Sequence, residues 1–162
     1  MKANLAMGLV TALMTTMPAM PSLAETVAIF PVKLLDTSFE ARDQEGEHVK
    51  RQEMMAEILA SEIGAETMIL TPEQVAQTCA PETADCLLQV AREAGADQAL
   101  FVGIQKVSSL IIEMNVALVK AADGATVQTG ELNFRGDNDN SWRRAAEYVS
   151  DQIRSGTLRH PG

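Results

Sequence analysis

Residues that carry chemistry are scarce in this sequence. Its 162 residues include two histidines, two cysteines, one tryptophan and one tyrosine, and aromatic residues make up only 4%. His48 and His160 stand far apart, and neither belongs to an H-E-x-x-H pair, so the signature of a helical zinc site is missing. No G-x-S-x-G elbow is present, which removes the usual sign of a serine hydrolase. The first apolar strand runs into Phe30-Pro31-Val32-Lys33 without a glycine, so no phosphate-cradling loop follows it. Basic residues are short too: 13 Lys and Arg face 22 Asp and Glu, a net charge of −9. An acidic surface repels phosphate backbones, so nucleic acid is not an expected partner. Long apolar runs are absent beyond residue 24, yet apolar residues reach 46%, enough for a core and too many for a disordered chain.

The amino terminus reads as a cleavable export signal. Lys2 is the single charge among residues 1–24, and Leu5 to Met14 form an apolar run of the length of a signal core. Thr15, Thr16 and Pro18 interrupt that run well short of the ~20 residues a transmembrane span needs. Ser22-Leu23-Ala24 supplies the small-x-small pattern read by signal peptidase, so cleavage is expected after Ala24. No cysteine follows to carry a lipid, and the product is expected free in the periplasm, without a membrane anchor. Residues 25–155 then form a single domain, and 156–162 lack periodicity and read as a disordered tail.

In an oxidising compartment Cys79 and Cys86 are expected to form a structural disulfide around the short loop Ala80–Asp85. Their spacing is not the C-x-x-C of a redox site.

Along the chain, Thr26–Val32 suits a buried strand closed by Pro31. A polar stretch, Asp36–Glu47, leads into a helix carrying Met55, Ile58, Leu59 and Ile63 and stopped by Gly64. A strand over Thr67–Leu70 gives way at Thr71-Pro72 to a short helix with threonine as N-cap. A helix over Thr83–Ala94 buries Leu87, Leu88 and Ala91 and exits at Gly95. Three β segments follow: Gln98–Gln105, Ser109–Lys120 with Leu110, Ile112, Met114, Val116 and Leu118 on one face, and the more polar Thr126–Phe134. Asp123-Gly124 marks the hairpin between the last two, and Gly130 reads as a bulge on an edge strand. Trp142, Ala145, Ala146, Val149 and Ile153 form one stripe of a closing helix, Ser141–Arg154. The order β-α-β-α-α-β-β-β-α predicts an α/β (mixed α+β) fold: a sheet of about five strands with helices packed on one face and an antiparallel meander at the end.

Three polar groups stand out. Arg135-Gly136-Asp137-Asn138-Asp139-Asn140-Ser141-Trp142 is the densest, and Asp137, Asp139 and Ser141 alternate like the first ligands of a calcium loop. Trp142 and Tyr148 occupy the positions where that loop needs glycine and glutamate, so the EF-hand match fails. Strand termination and capping of the last helix explain the segment better. Lys106-Val107-Ser108-Ser109 reads as the polar turn between two strands, with Lys106 available to an anionic ligand. Asp36, Thr37 and Ser38 follow the first strand, where α/β sheets place ligands. His48, among Glu45, Glu47, Lys50 and Glu53, reads as a solvated helix residue.

These segments carry a resemblance. The run from Val27 through Ser38 and the run from Cys86 through Val127, with Ala94–Asp97, Gly103 and Asp123-Gly124, are similar to the periplasmic α/β domain of the TolB amino-terminal region, the curli secretion lipoprotein and the penicillin-binding-protein activator lipoproteins. Lys106–Ile111 and Arg135–Trp142 further resemble a group of uncharacterised secreted bacterial proteins with K-V-S-x-L-I and R-G-D-N-D-x-S-W motifs. The resemblance implies a non-enzymatic envelope domain that binds protein partners. Two readings follow. The first is a periplasmic accessory or binding module without catalytic residues or cofactor, working through protein contacts or a small ligand. Its surface is drawn from Asp36, Thr37, Ser38, Lys106, Arg135, Asp137, Asp139 and Trp142, and its edge strand allows pairing of two copies. The second is a small metal-dependent or ligand-binding enzyme using the Asp137/Asp139 loop.

Overall fold

The computed structural model describes residues 25–158; the export signal expected at residues 1–24 lies outside them. Six strands and four helices form an α/β fold. In chain order they are β1 (Thr26–Ile29), β2 (Lys33–Asp36), α1 (Glu45–Glu62), β3 (Glu66–Ile69), α2 (Pro72–Thr78), α3 (Ala84–Glu93), β4 (Gln98–Ser108), β5 (Ile111–Lys120), β6 (Thr126–Phe134) and α4 (Asp139–Ser155). The sheet order is β3-β1-β4-β5-β6. β1 lies parallel to both β3 and β4, and β4, β5 and β6 form the expected antiparallel meander.

The sixth strand is a departure from the sequence reading. Pro31 cannot donate to a ladder, so β1 ends near it. The chain then resumes as β2 farther along the same strand, pairing Lys33 with Gly103 and Asp36 with Lys106 in parallel. Its mostly exposed residues gave no hydrophobic alternation to read.

Helices cover two faces, not one. Alternation in β1 divides the core: Val27 and Ile29 face α1 and α4, whereas Ala28 and Phe30 face α2 and α3. On the first side Met55 and Leu59 of α1 meet Trp142, Ala146 and Val149 of α4 above Leu100, Val102, Ile112, Met114 and Val116. On the second, alanines at 28, 91, 99 and 121 let the shorter helices approach closely. Leu158 also packs in the larger core, so ordered packing continues past residue 155.

Other local expectations divide in the same way. Thr71 caps α2 in a capping box with Gln74, and Gly64 and Gly95 leave their helices at φ +79° and +83°. Gly130 is not a bulge: it pairs regularly with Val116, and the irregularity falls where Val127 is the extra residue opposite Leu118 and Val119. Leu110 sits 70% exposed in the β4–β5 turn and not on the core face. Among the described residues no helix is long and apolar enough to cross a membrane.

Cys79 and Cys86 form the disulfide, joining the end of α2 to the first turn of α3 with Cα atoms 5.8 Å apart. Closing so short a loop restricts the unfolded chain by about 2–3 kcal/mol. The Cys79→Ser/Cys86→Ser double variant is therefore expected to lose about 2 kcal/mol in urea unfolding. A loss under about 0.5 kcal/mol would mean that the packing of Val75 and Leu87 suffices without the bond.

Candidate functional site

At the end of β2 and β4 the fold gathers charges from five places in the sequence. Alternation along β4 puts Lys106 on the same side as Val102 and Ile104, facing α1 and α4, and it is completely buried. Its ammonium meets Asp36 at 3.3 Å, Glu40 at 3.1 Å and Asp137 at 3.3 Å, one carboxylate for each N–H donor. Lys106 is therefore not part of a polar turn, as its sequence context suggested, but the interior end of a strand.

Asp137 is the centre of the cluster. Its side chain is 2% exposed. Oδ2 lies 2.8 Å from His48 Nε2 as well as near Lys106, while Oδ1 accepts from Arg51 Nη1 at 2.9 Å and from the Trp142 indole at 3.0 Å. Arg51 also donates from Nε to Asp139 at 2.8 Å. His48, read from the sequence as solvated, is in fact 5% exposed. Periodicity explains it: His48, Arg51, Met55 and Leu59 are the buried stripe of α1, and the stripe simply begins with polar residues. His48 and Arg51 are thus members that the sequence reading missed, and that spacing was the signal available.

The loop after β2 is fastened to the same place. Thr37 donates to the Lys106 carbonyl through its N–H and its hydroxyl, and Asp36 accepts from the Ser38 N–H and hydroxyl at 2.9 and 2.6 Å. Glu40 reaches across to accept from the Ser109 N–H and hydroxyl at 2.8 and 2.6 Å. Those two bonds, with the Lys106 ammonium, hold the Glu40 carboxyl down at about 2. Burial pushes the Asp137 carboxyl up, but hydrogen bonds from His48 and Trp142 and the charges of His48 and Arg51 outweigh it, leaving it below the ordinary range. Asp36 is lowered in the same manner, burial being overcome by Ser38 and Lys106. Burial pulls Lys106 down, and its three carboxylate bonds more than reverse the effect.

Of the residues singled out in the sequence, Asp36, Thr37, Ser38, Lys106, Asp137, Asp139 and Trp142 converge. Arg135 does not; it is exposed beside Phe134 and Tyr148. Lys106, Asp137 and Trp142 are too deeply buried to form a contact surface. The expectation of α4 capping holds through Asn138, whose side chain accepts from the Ser141 N–H. Both oxygens of Asp137 face cationic or N–H donors of the chain itself, a surrounding that suits a carboxylate and not a metal ligand.

What the cluster supports is apolar and exposed. Phe39 is 97% exposed and stands at φ +54°, an uncommon conformation for a bulky side chain. Across the Glu40–Ser109 bonds lies Leu110, 70% exposed, and Leu35, Val107 and Ile111 continue the apolar character on the sheet face away from α1 and α4.

The fold is shared with solved bacterial proteins at low sequence identity. The lipoprotein GNA1162 from Neisseria meningitidis is 15% identical with a TM-score of 0.53, over 81% of this chain and 99% of that one. PelC from Paraburkholderia phytofirmans, solved as a dodecamer, is 15% identical with a TM-score of 0.51, over 88% and 92%. A putative neuraminyllactose-binding hemagglutinin homologue from Helicobacter pylori reaches a TM-score of 0.55 at 8% identity, over 88% and 91%. No curated protein matches the sequence. The resemblance drawn from the sequence, to an uncharacterised family with the fold of envelope α/β domains, stands. The model of one such family matches residues 25–153, and the chain belongs to it: DUF3280, "Protein of unknown function (DUF2380)".

Proposed function

We propose that this chain is an exported, non-catalytic accessory module that holds a protein partner in the bacterial envelope. The partner docks at the end of the sheet where the loop after β2 meets the β4–β5 turn. One observation carries the reading: Phe39 is held out into solvent in a strained backbone by a loop that a buried ionic cluster fixes in place. A large apolar side chain kept exposed on a rigid mount is the usual anchor of an interface, and local strain of this kind persists where the surroundings over-determine it.

The absence of catalysis in this reading rests on the state of the cluster's groups. His48 pairs with a carboxylate and with no hydroxyl or thiol among the described residues, and both cysteines are in the disulfide. The envelope address rests on the leader at residues 1–24, the disulfide and the shared fold of GNA1162 and PelC. The disulfide fits an oxidising compartment.

A photo-crosslinking amino acid at position 39, expressed in the native host, tests the proposal. It is expected to give one discrete adduct, reduced at least tenfold by Leu110→Asp, whereas the same probe at exposed Tyr148 on α4 gives none. No adduct at 39, or equal adducts at both positions, would overturn it. An adduct of twice the chain's own mass would replace the foreign partner with a second copy.

A further inference from the structure

The α2–α3 side of the sheet holds a second feature that the docking surface does not use. Between β1–β4 and the α2–α3 pair lies a cleft of about 210 Å³ lined by Phe30, Val75, Leu87 and Phe101, almost wholly apolar. Its floor is Gly103. Glycine inside a strand weakens it by roughly 0.5–1 kcal/mol relative to alanine, and its usual reasons are a left-handed backbone or the close approach of another chain segment. Neither applies. Gly103 has no positive φ, and a Cβ added there would meet nothing within 4 Å. The missing side chain leaves room, and the room opens into the cleft.

At the mouth stand Lys33 and Glu82, 2.9 Å apart. Lys33 follows Pro31 into β2, and Glu82 sits in the loop closed by the disulfide, so both walls of the mouth are fixed. Among the described residues Glu82 is the one side chain bonded to the Lys33 ammonium, leaving two of its three donors to solvent. An exposed ion pair contributes little, so a second carboxylate can share or take this lysine at small cost.

We propose that this cleft binds a small aliphatic carboxylate, its chain lying over Gly103 against Phe101, whose ring stacks on Phe30 with centroids 4.6 Å apart, and its carboxylate on Lys33. At roughly 30 Å³ for each water-sized group, the volume accommodates about seven methylenes. Affinity should climb about fourfold per added methylene while the chain still finds apolar lining, and then level off.

The test is calorimetric titration of the mature protein with straight-chain carboxylates from butanoate to dodecanoate. Saturable one-to-one binding that rises with length and levels near octanoate is the expected result. Gly103→Leu puts a side chain into the cleft from a Cβ position that meets nothing within 4 Å, and should abolish octanoate binding while the far-ultraviolet circular dichroism stays unchanged. Lys33→Gln, an exposed substitution that leaves packing alone, should weaken octanoate about two- to fivefold. No binding by the native protein, or equal binding by Gly103→Leu, overturns the site. If Gly103→Leu fails to fold, Gly103→Ala decides instead, since even one methyl should lower the affinity and shorten the preferred chain. Octylammonium binding as tightly as octanoate would overturn the assignment of the head group to Lys33.

Discussion

Asp137→Ala is expected to destabilise the domain by about 3–5 kcal/mol, more than any other single substitution among the charged residues. Removing one member of a buried ionic set leaves its partners uncompensated, which is far more costly than never having buried them. Asp137 has four such partners. Lys106 is completely buried, so no water reaches its ammonium to replace the lost carboxylate. Arg51 and His48 are nearly as enclosed, and the Trp142 indole loses its acceptor in a fully buried position. An unpaired buried donor alone costs about 1–3 kcal/mol.

Lys106→Met provides the comparison that separates the centre of the cluster from its parts. Asp36 and Glu40 are partly exposed and recover solvent when the lysine is gone, and Asp137 keeps Arg51, His48 and Trp142. Methionine also replaces the buried stem. The loss should therefore be less than half that of Asp137→Ala. Urea unfolding with both variants measures the difference. Equal losses, or a loss under about 1 kcal/mol for Asp137→Ala, would show that the charges are not coupled through Asp137.

The same residues show how far the sequence could be read. Elements rich in repeated apolar positions were legible: the α4 stripe from Trp142 to Ile153, the β5 alternation from Ile112 to Leu118 and the Thr71-Pro72 start of α2 appear as expected. β2 was not, because a strand exposed on most of its residues carries no period-2 signal. Lys106 and His48 were misplaced for a related reason. Each continues an apolar periodicity, but as a charged or polar residue at its end, where the pattern reads as a boundary. The convergence itself lay beyond the sequence. Asp36 and Lys106, or His48 and Asp137, stand 70 and 89 residues apart, and only the parallel pairing of β2 with β4 and the packing of α1 beside α4 brings them together. The candidate residues were thus chosen by composition, while their roles, bracing for some and presenting for others, required burial to be known.

Acid should unfold the protein through this cluster, and the direction follows from its carboxylates. Asp36, Glu40 and Asp137 all titrate lower in the folded state than in the unfolded chain, Glu40 at about 2. A group lowered in this way stabilises the fold at every pH above its unfolded value, near 4, and that contribution disappears as the pH falls through the folded value. The loss should begin near pH 4.5 and continue toward pH 2, over which the unfolded chain binds up to three more protons than the native one at these sites. Lys106 works in the opposite sense. Its raised value means that its contribution is complete below about 10.5 and lost only as the pH climbs above that. Between about pH 5 and 10 these four groups leave stability flat. Urea midpoints measured from pH 7 to 2.5 should fall steeply below 4.5, and Glu40→Gln, which cannot take up that proton, should be less stable at neutral pH with a shallower acid slope. A native midpoint that stays level down to pH 2.5, or an acid slope unchanged by Glu40→Gln, would mean that the bonds to Ser109 and Lys106 do not favour the charged carboxylate.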